Sequence, residues 1–180
     1  VSSYYLGKAI AEIPNSLAFP IVMGTIAYWM VGLNPSAARF FTFILIVIMV
    51  ALSGQALGNL VAAIVPSMAA AMALGPVLIT LLMLFGGFYI KVSNIPPWFI
   101  WIYWISMFHF GYEAFMLNEF KGLKFVCPPT PQACPFPTGD DLIVSVGMDQ
   151  RLSNVWINIG FMGCVIVVCR ILAYIILRFL

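Results

Sequence analysis

The segment that decides the fold is FGGFYIKVSNIPPWFIWIYWISMFHFGYEAFMLNEF, residues 85–120. No charged side chain occurs between Lys91 and Glu113, so residues 92–112 are apolar enough to lie at membrane depth. The stretch 92–112 nevertheless has two consecutive prolines near its start, Pro96 and Pro97. It also contains three tryptophans, a residue type that favours the membrane–water interface. This combination predicts a re-entrant segment, which dips into a bilayer and returns, rather than a helix that crosses it.

The composition of the whole chain indicates that its solvent is lipid. Hydrophobic residues make up 63% of the 180 residues and charged residues only 8%, whereas soluble domains contain roughly 25% charged residues. A backbone in lipid must be helical or form a closed barrel, and barrel strands are only ~10 residues long. The uncharged runs here are much longer, so we predict an all-α polytopic membrane protein that contacts membrane lipids. A net charge of +2 gives no indication of a nucleic-acid partner.

Four transmembrane helices are predicted from the apolar runs, because each run supplies the ~20 residues that a span needs. Asn34-Pro35 ends the first span, and Pro66-Ser67 divides the uncharged run between Arg39 and Lys91 into two further spans. The four predicted spans are residues 13–33, 40–61, 69–90 and 153–177. The predicted layout is an amphipathic helix at 1–12, three transmembrane helices within 13–90, a re-entrant segment and an extracellular cysteine loop within 91–152, and the last transmembrane helix within 153–180. Glu113 carries the first charge after Lys91, so the polar loop is taken to begin there and to cover residues 113–152.

Two cysteines, Cys127 and Cys134, lie in the proline-rich part of the predicted loop. Their spacing lacks the short pairs and the histidines of a zinc site, so a disulfide in an oxidising compartment is the better interpretation. We therefore place the loop outside the cell and both ends of the chain in the cytosol. A literal count of Lys and Arg favours the opposite orientation, but that rule works best for short loops. Cys164 and Cys169, within the last span, are expected to be buried free thiols.

Two other patterns have a functional and a structural interpretation. Lys8 and Glu12 lie one helical turn apart and can pair, either on a helix at the membrane surface or on a docking surface for a soluble partner. In the third span, Thr80 and Met83 share a face with Pro76 and Gly87. That face suits a partner or a cavity, although ordinary core packing explains it equally well.

No catalytic or metal site is predicted within the chain. It contains no G-x-x-x-x-G-K-[ST] nucleotide loop and no H-E-x-x-H motif, and its single histidine, His109, lies among aromatic residues, where a packing role is expected.

Five stretches of the chain resemble the transmembrane domain of ATP-binding-cassette transporters of the G subfamily, the White and pleiotropic-drug-resistance type. They are VSSYYLGK at 1–8, FGGFYI at 85–90, NEFKGLKF at 118–125, TGDDLIVSVGMD at 138–149 and RILAYIILR at 170–178. The resemblance implies that the four spans are the third to sixth helices of a six-helix exporter domain. It also implies ATP and Mg²⁺ in a separate nucleotide-binding domain, a second transmembrane half in a homodimer or heterodimer, an amphipathic substrate and a plasma-membrane location.

The same resemblance implies roles for individual residues. Tyr4, Lys8 and Glu12 take positions that couple the membrane domain to the ATPase. Phe88 and Tyr89 take the positions of a plug between the central and outer cavities, which is made of two leucines in the multidrug member that this chain resembles. The residues expected to face the central substrate cavity are Ile79, Thr80 and Met83.

Two classes of function follow. The first is the translocating part of an ATP-driven exporter of lipids, sterols or amphipathic xenobiotics. The alternative is a membrane scaffold or channel-like domain without ATP coupling. Whether the parent protein is an ATP-hydrolysing enzyme depends on a domain outside this sequence.

Overall fold

The computed structural model describes the backbone of residues 2–65, 67–87, 89–90, 96–125, 138–146 and 154–179. Among the first fifteen residues, the described side chains are those of Gly7, Ala11, Glu12 and Pro14. Within these ranges the structure consists of helices and their connections. The helices are α1 (Ser2–Val31), α2 (Ala37–Ile64), α3 (Met68–Leu84), a 3-10 turn (Pro97–Phe99), α4 (Ile100–Ile105), α5 (Met107–Phe120), α6 (Gly139–Ser145) and α7 (Val155–Phe179).

Helix α1 is longer than the sequence predicts. The amphipathic helix at 1–12 and the span at 13–33 form one continuous helix, and Pro14 and Pro20 lie inside it without ending it. Membrane helices tolerate such prolines because neighbouring groups can satisfy the freed carbonyls. The helix ends at Val31, where Gly32 adopts a positive φ of 71°. A glycine in this conformation is the usual C-terminal stop of a helix.

The predicted break at Pro66-Ser67 is present, but the following helix is shorter than expected. Helix α2 ends at Ile64, and the Ser67 side chain caps α3 by accepting a hydrogen bond of 3.3 Å from the backbone N–H of Ala70. Helix α3 ends at Leu84, so the prediction that it continues to residue 90 is wrong. The reason is Gly87, whose φ of 87° is incompatible with a right-handed helix.

The predicted boundary between the re-entrant segment and the polar loop is also wrong. Residues 113–120 were assigned to the loop because Glu113 carries the first charge after Lys91, yet the structure places them in α5. Glu113 is 6% exposed, so it belongs to the interior of the bundle. Helix α5 runs antiparallel to α2, because a Cβ on Gly54 would contact Met107 whereas Asn118 binds the backbone of Arg39. The re-entrant path through a membrane stays a prediction.

Helices α2, α5 and α7 pack together and form the centre of the bundle. A cluster of buried hydrophobic residues at their contact consists of Ile46, Phe110, Ala114 and Met162. Among the described residues, two helices are long and apolar enough to cross a membrane, Ala37–Ile64 and Val155–Arg178. The apolar part of α1, Ser16–Val31, and α3 are shorter apolar helices. The count of four spans therefore stays a prediction, as does the division of the chain into four regions.

Candidate functional site

A polar cluster joins α1 to α2 at the predicted coupling region. Gln55 of α2 donates a hydrogen bond from Nε2 to the Glu12 carboxylate, with a distance of 3.0 Å. The Ser16 hydroxyl, one helical turn after Glu12, lies 2.8 Å from Gln55 Oε1 and 2.8 Å from the carbonyl oxygen of Glu12. All three residues are partly buried. The cluster therefore gives the two helices a directional connection that apolar contacts alone would not provide.

Only one of the three predicted coupling residues can be placed in full. Tyr4 and Lys8 lie on α1, but their side chains are outside the described part of the structure, and so is the expected pairing of Lys8 with Glu12. The sequence gave no means of pairing Gln55 with Glu12. Those two residues are 43 positions apart and meet because α1 and α2 are antiparallel.

The three predicted cavity residues face different surroundings within one chain. Ile79 lines an apolar groove of about 480 Å³ between α2, α3 and α4. Met83 lines a smaller cavity of about 270 Å³ against α2 and α5. Thr80 is exposed and donates its hydroxyl hydrogen bond to the carbonyl of Pro76, 2.7 Å away on its own helix. The substrate-cavity assignment therefore stays a prediction about an assembly larger than this chain.

In the groove of about 480 Å³, the glycines leave open space and do not mark close contacts between helices. Gly58 of α2 and Gly75 of α3 both line the groove, and a Cβ added to either would meet no heavy atom within 4 Å. Gly54 behaves differently, since a Cβ there would lie 3.6 Å from the terminal methyl of Met107. Of these three glycines, Gly54 alone makes a close approach to another described part of the chain.

The turn after α3 packs closely against the connection between α4 and α5. A Cβ on Gly86 would stand 2.9 Å from Cβ of Phe108, and one on Gly87 would stand 3.4 Å from the Tyr103 ring. Phe85 stacks on Phe99 with ring centroids 5.4 Å apart. The residues that carry the predicted plug follow directly. Phe88 lies outside the described residues, and the Tyr89 side chain is 58% exposed.

Ser106 forms the connection between α4 and α5 and was not singled out by the sequence analysis. Its hydroxyl donates a hydrogen bond of 2.7 Å to the carbonyl oxygen of Leu82 in the last turn of α3. The side chain is fully buried, at 0% exposure. The sequence could have pointed to Ser106, because it is a lone serine within the apolar run Trp104-Ile105-Ser106-Met107-Phe108. A hydroxyl buried in such a run must find a hydrogen-bond acceptor.

Polar side chains also fasten the α1–α2 turn to the end of α5. The Arg39 guanidinium donates to the carbonyl oxygens of Glu119 and Lys121, at 3.0 and 3.3 Å. Asn118 donates from Nδ2 to the carbonyl of Arg39 at 3.0 Å, and the Glu119 carboxylate accepts the backbone N–H of Asn34 at 2.8 Å. The last carbonyls of a helix have no partner inside it, so Arg39 supplies the missing donors for α5.

His109 packs among aromatic rings, as the sequence indicated. Its ring centroid lies 3.8 Å from that of Tyr103, and its Nε2 atom lies 3.7 Å from Oε2 of Glu113. The second distance is longer than a hydrogen bond.

In the described part of the chain, no group of three or more His, Cys, Asp or Glu side chains could hold a metal ion. Cys164 and Cys169 are free, but Cys164 is exposed on α7 rather than buried as expected. Cys127 and Cys134 lie outside the described residues.

Comparison with known proteins adds evidence that is independent of this geometry. The model of the ABC-2 type transporter family matches residues 1–120. ABC transporter G family member 1 of Dictyostelium discoideum is 30% identical over 97% of the chain and 23% of its own length. ABC transporter G family member 7 of Arabidopsis thaliana is 44% identical over 68% of the chain and 17% of its own length. The broad substrate specificity ATP-binding cassette transporter of Bos taurus is 30% identical over 100% of the chain and 28% of its own length. The chain therefore spans less than a third of each of these relatives.

Proposed function

The chain belongs to the ABC-2 type transporter family, and from that membership we propose that it is the substrate-translocating part of an ATP-driven exporter. As an ABC-2 membrane domain it is a membrane protein that functions in transport. The proposed cargo is a lipid, a sterol or an amphipathic xenobiotic, and the proposed location is the plasma membrane. A nucleotide-binding domain would bind ATP and Mg²⁺, and a second transmembrane half would complete the path.

The observation that carries the proposal is the depth in the bilayer at which α3 ends. Gly86 and Val50 line the same cavity, and Val50 lies about 20 Å along α2 from Ala37 at a rise of 1.5 Å per residue. The hydrocarbon core of a bilayer is ~30 Å thick. With Ala37 placed at one edge of the hydrocarbon layer, the backbone at 85–87 leaves the helical conformation well inside that layer. Non-helical backbone at membrane depth is tolerated only where protein buries it or where it lines a water-filled cavity.

A turn at this depth in the bilayer lies where a barrier across a translocation path would be expected. The proposed gate consists of Phe88 and Tyr89, next to the turn at 85–87. In a symmetric dimer each gate residue can meet its own copy, so one short segment closes the path from both sides. The proposed substrate cavity lies on the inward side of the gate, between it and the cytosol. It is lined by Ile79, Thr80 and Met83. Their exposure in the single chain leaves them available to a substrate or a second half.

The proposed coupling of ATP hydrolysis to transport involves Tyr4, Lys8 and Glu12. Support comes from the hydrogen bond between Glu12 and Gln55, because a displacement of α1 at this point would be passed on to α2. Helix α2 packs on α1, α5 and α7, so it is the element through which such a displacement reaches the rest of the bundle.

Substrate-stimulated ATP hydrolysis by the purified full-length protein tests the proposal. We expect hydrophobic amphipathic compounds to raise the hydrolysis rate, and Met83→Ala to change the concentration that gives half of the stimulation. Leu74→Ala is the control, because Leu74 is an exposed apolar residue of the same helix and lies nine positions before Met83, on the opposite face. A hydrolysis rate that no such compound alters would favour the scaffold or channel-like alternative.

A further inference from the structure

We propose that Ser106 is a positioning residue of the translocation path: its hydroxyl ties the last turn of α3, and with it the turn at 85–87, to the connection between α4 and α5. The inference rests on the proposed function, because it assigns a role in the gating of that same path. The tie joins Ser106 Oγ to the Leu82 carbonyl oxygen at 2.7 Å, across 24 residues of sequence. Tyr89 follows the tied turn by only a few residues.

The acceptor is a carbonyl that its own helix leaves unused. The last four carbonyls of an α-helix have no intrahelical N–H partner, and Leu82 belongs to the last turn of α3. The neighbouring carbonyls of Leu81 and Met83 accept the backbone N–H groups of Phe85 and Gly86, at 3.1 and 3.2 Å. The Ser106 hydroxyl therefore completes the C-terminal cap of α3 from another part of the chain.

The donor is held rigidly in place. The Ser106 backbone N–H donates to the carbonyl of Ile102 at 2.9 Å, and its carbonyl accepts the N–H of His109 at 3.2 Å. With φ −67° and ψ 116°, Ser106 adopts an extended conformation between two helices, so the hydroxyl is fixed by both of them. Only a small side chain with a donor can occupy this fully buried position and satisfy the acceptor.

Apolar contacts surround the tie but do not fix its register. Gly86 lies against Phe108, Gly87 lies against Tyr103, and Phe85 stacks on Phe99. Such contacts allow the turn at 85–87 to slide along the connection between α4 and α5, whereas a hydrogen bond specifies one relative position of the two segments. Loss of the hydroxyl is thus expected to leave the chain folded and the turn at 85–87 loosely held.

The variant that tests the inference is Ser106→Ala, with Ser53→Ala as its matched control. Ser53 is equally buried, at 0% exposure, and its hydroxyl also donates over 2.7 Å to a backbone carbonyl. That carbonyl belongs to Met49 of the same helix, so Ser53 ties no two elements together. The two substitutions therefore delete the same group from equally buried positions and differ in what the group connects.

Two readouts are measured on the full-length protein in lipid vesicles. Amide hydrogen exchange of the peptide that covers the end of α3 and residues 85–87 should become about fivefold faster in Ser106→Ala and remain unchanged in Ser53→Ala. The amount of substrate transported per ATP hydrolysed should fall about fivefold in Ser106→Ala only, while the hydrolysis rate stays within about twofold. Ser106→Cys, which keeps a weaker donor, should give intermediate values and replaces the alanine variant if that variant fails to fold.

The outcomes separate this inference from the proposed function. Exchange that is equal in the Ser106 and Ser53 variants overturns the tie itself. Faster exchange with an unchanged ratio of transport to hydrolysis overturns the positioning role. If the unsubstituted protein shows no ATP-driven transport, the proposed function fails, and the exchange measurement still decides whether Ser106 holds the end of α3.

Discussion

Replacing Gln55 by leucine is expected to weaken the connection between α1 and α2 and with it the coupling of ATP hydrolysis to transport. The substitution keeps a similar volume but removes the hydrogen bond to the Glu12 carboxylate and the contact with the Ser16 hydroxyl. Hydrogen bonds between membrane helices contribute ~0.6 kcal/mol on average and ~1.7 kcal/mol at most. Two such interactions give a loss of about 1–2 kcal/mol, which corresponds to a roughly tenfold change in an equilibrium between two states of the hairpin.

The assay compares thermal unfolding, ATP hydrolysis and transport of the full-length protein. We expect Gln55→Leu to lower the free energy of unfolding by about 1–2 kcal/mol and to reduce transport far more than ATP hydrolysis. Asn59→Leu is the control, because Asn59 lies about one turn further along α2 and its amide makes no hydrogen bond within the described part of the chain.

A double-mutant cycle isolates the interaction itself. Glu12→Ala and Gln55→Leu should be less damaging together than the sum of the two single effects, by about 1 kcal/mol. Strictly additive effects, or an equal loss of transport in Asn59→Leu, would refute the reasoning that this cluster connects the helices.

The remaining predictions concern the parts of the chain around α5. Arg39→Met should lower the free energy of unfolding by about 1–3 kcal/mol, because two carbonyls at the end of α5 lose their donor, and chemical denaturation of the detergent-solubilised protein measures the loss. Gly139→Ala should reduce the folded yield severely, because its Cβ would overlap the carbonyl oxygen of Phe120, whereas Gly160→Ala, in open space on α7, should be tolerated in the same expression test. Cys127 and Cys134 are expected to form a disulfide, and mass spectrometry of the unreduced protein should detect the linked peptide; free thiols at both positions would contradict it.

The uncharged apolar runs of the sequence and the breaks between them were enough to predict the long apolar helices α1, α2, α3 and α7 and their order. The break at Pro66-Ser67 and the helix end before Asn34-Pro35 follow from local backbone chemistry, and the structure contains both. The boundaries that failed depended on tertiary context. Glu113 was taken as the start of a loop because its charge suggested solvent, but the bundle buries it on α5.

The candidate site was predictable where its residues are neighbours in the sequence and not where packing brings them together. Two consecutive glycines are a visible local signal, because each costs ~1 kcal/mol in a helix, and the structure places Gly86 and Gly87 against Phe108 and Tyr103. Ser106 gave no comparable pattern, because its importance comes from one carbonyl on a different helix. A single sequence contains no information on such pairs beyond the requirement that buried polar groups find partners.

The central claim is that the chain translocates substrate at the expense of ATP, and uphill accumulation in inside-out membrane vesicles tests it most directly. Vesicles that contain the full-length protein should concentrate a fluorescent amphipathic compound above its outside concentration when ATP and Mg²⁺ are supplied. Replacement of ATP by a non-hydrolysable analogue should abolish the accumulation. A flux of equal size with either nucleotide, which stops when the inside and outside concentrations are equal, would contradict ATP-driven export and identify a passive pathway.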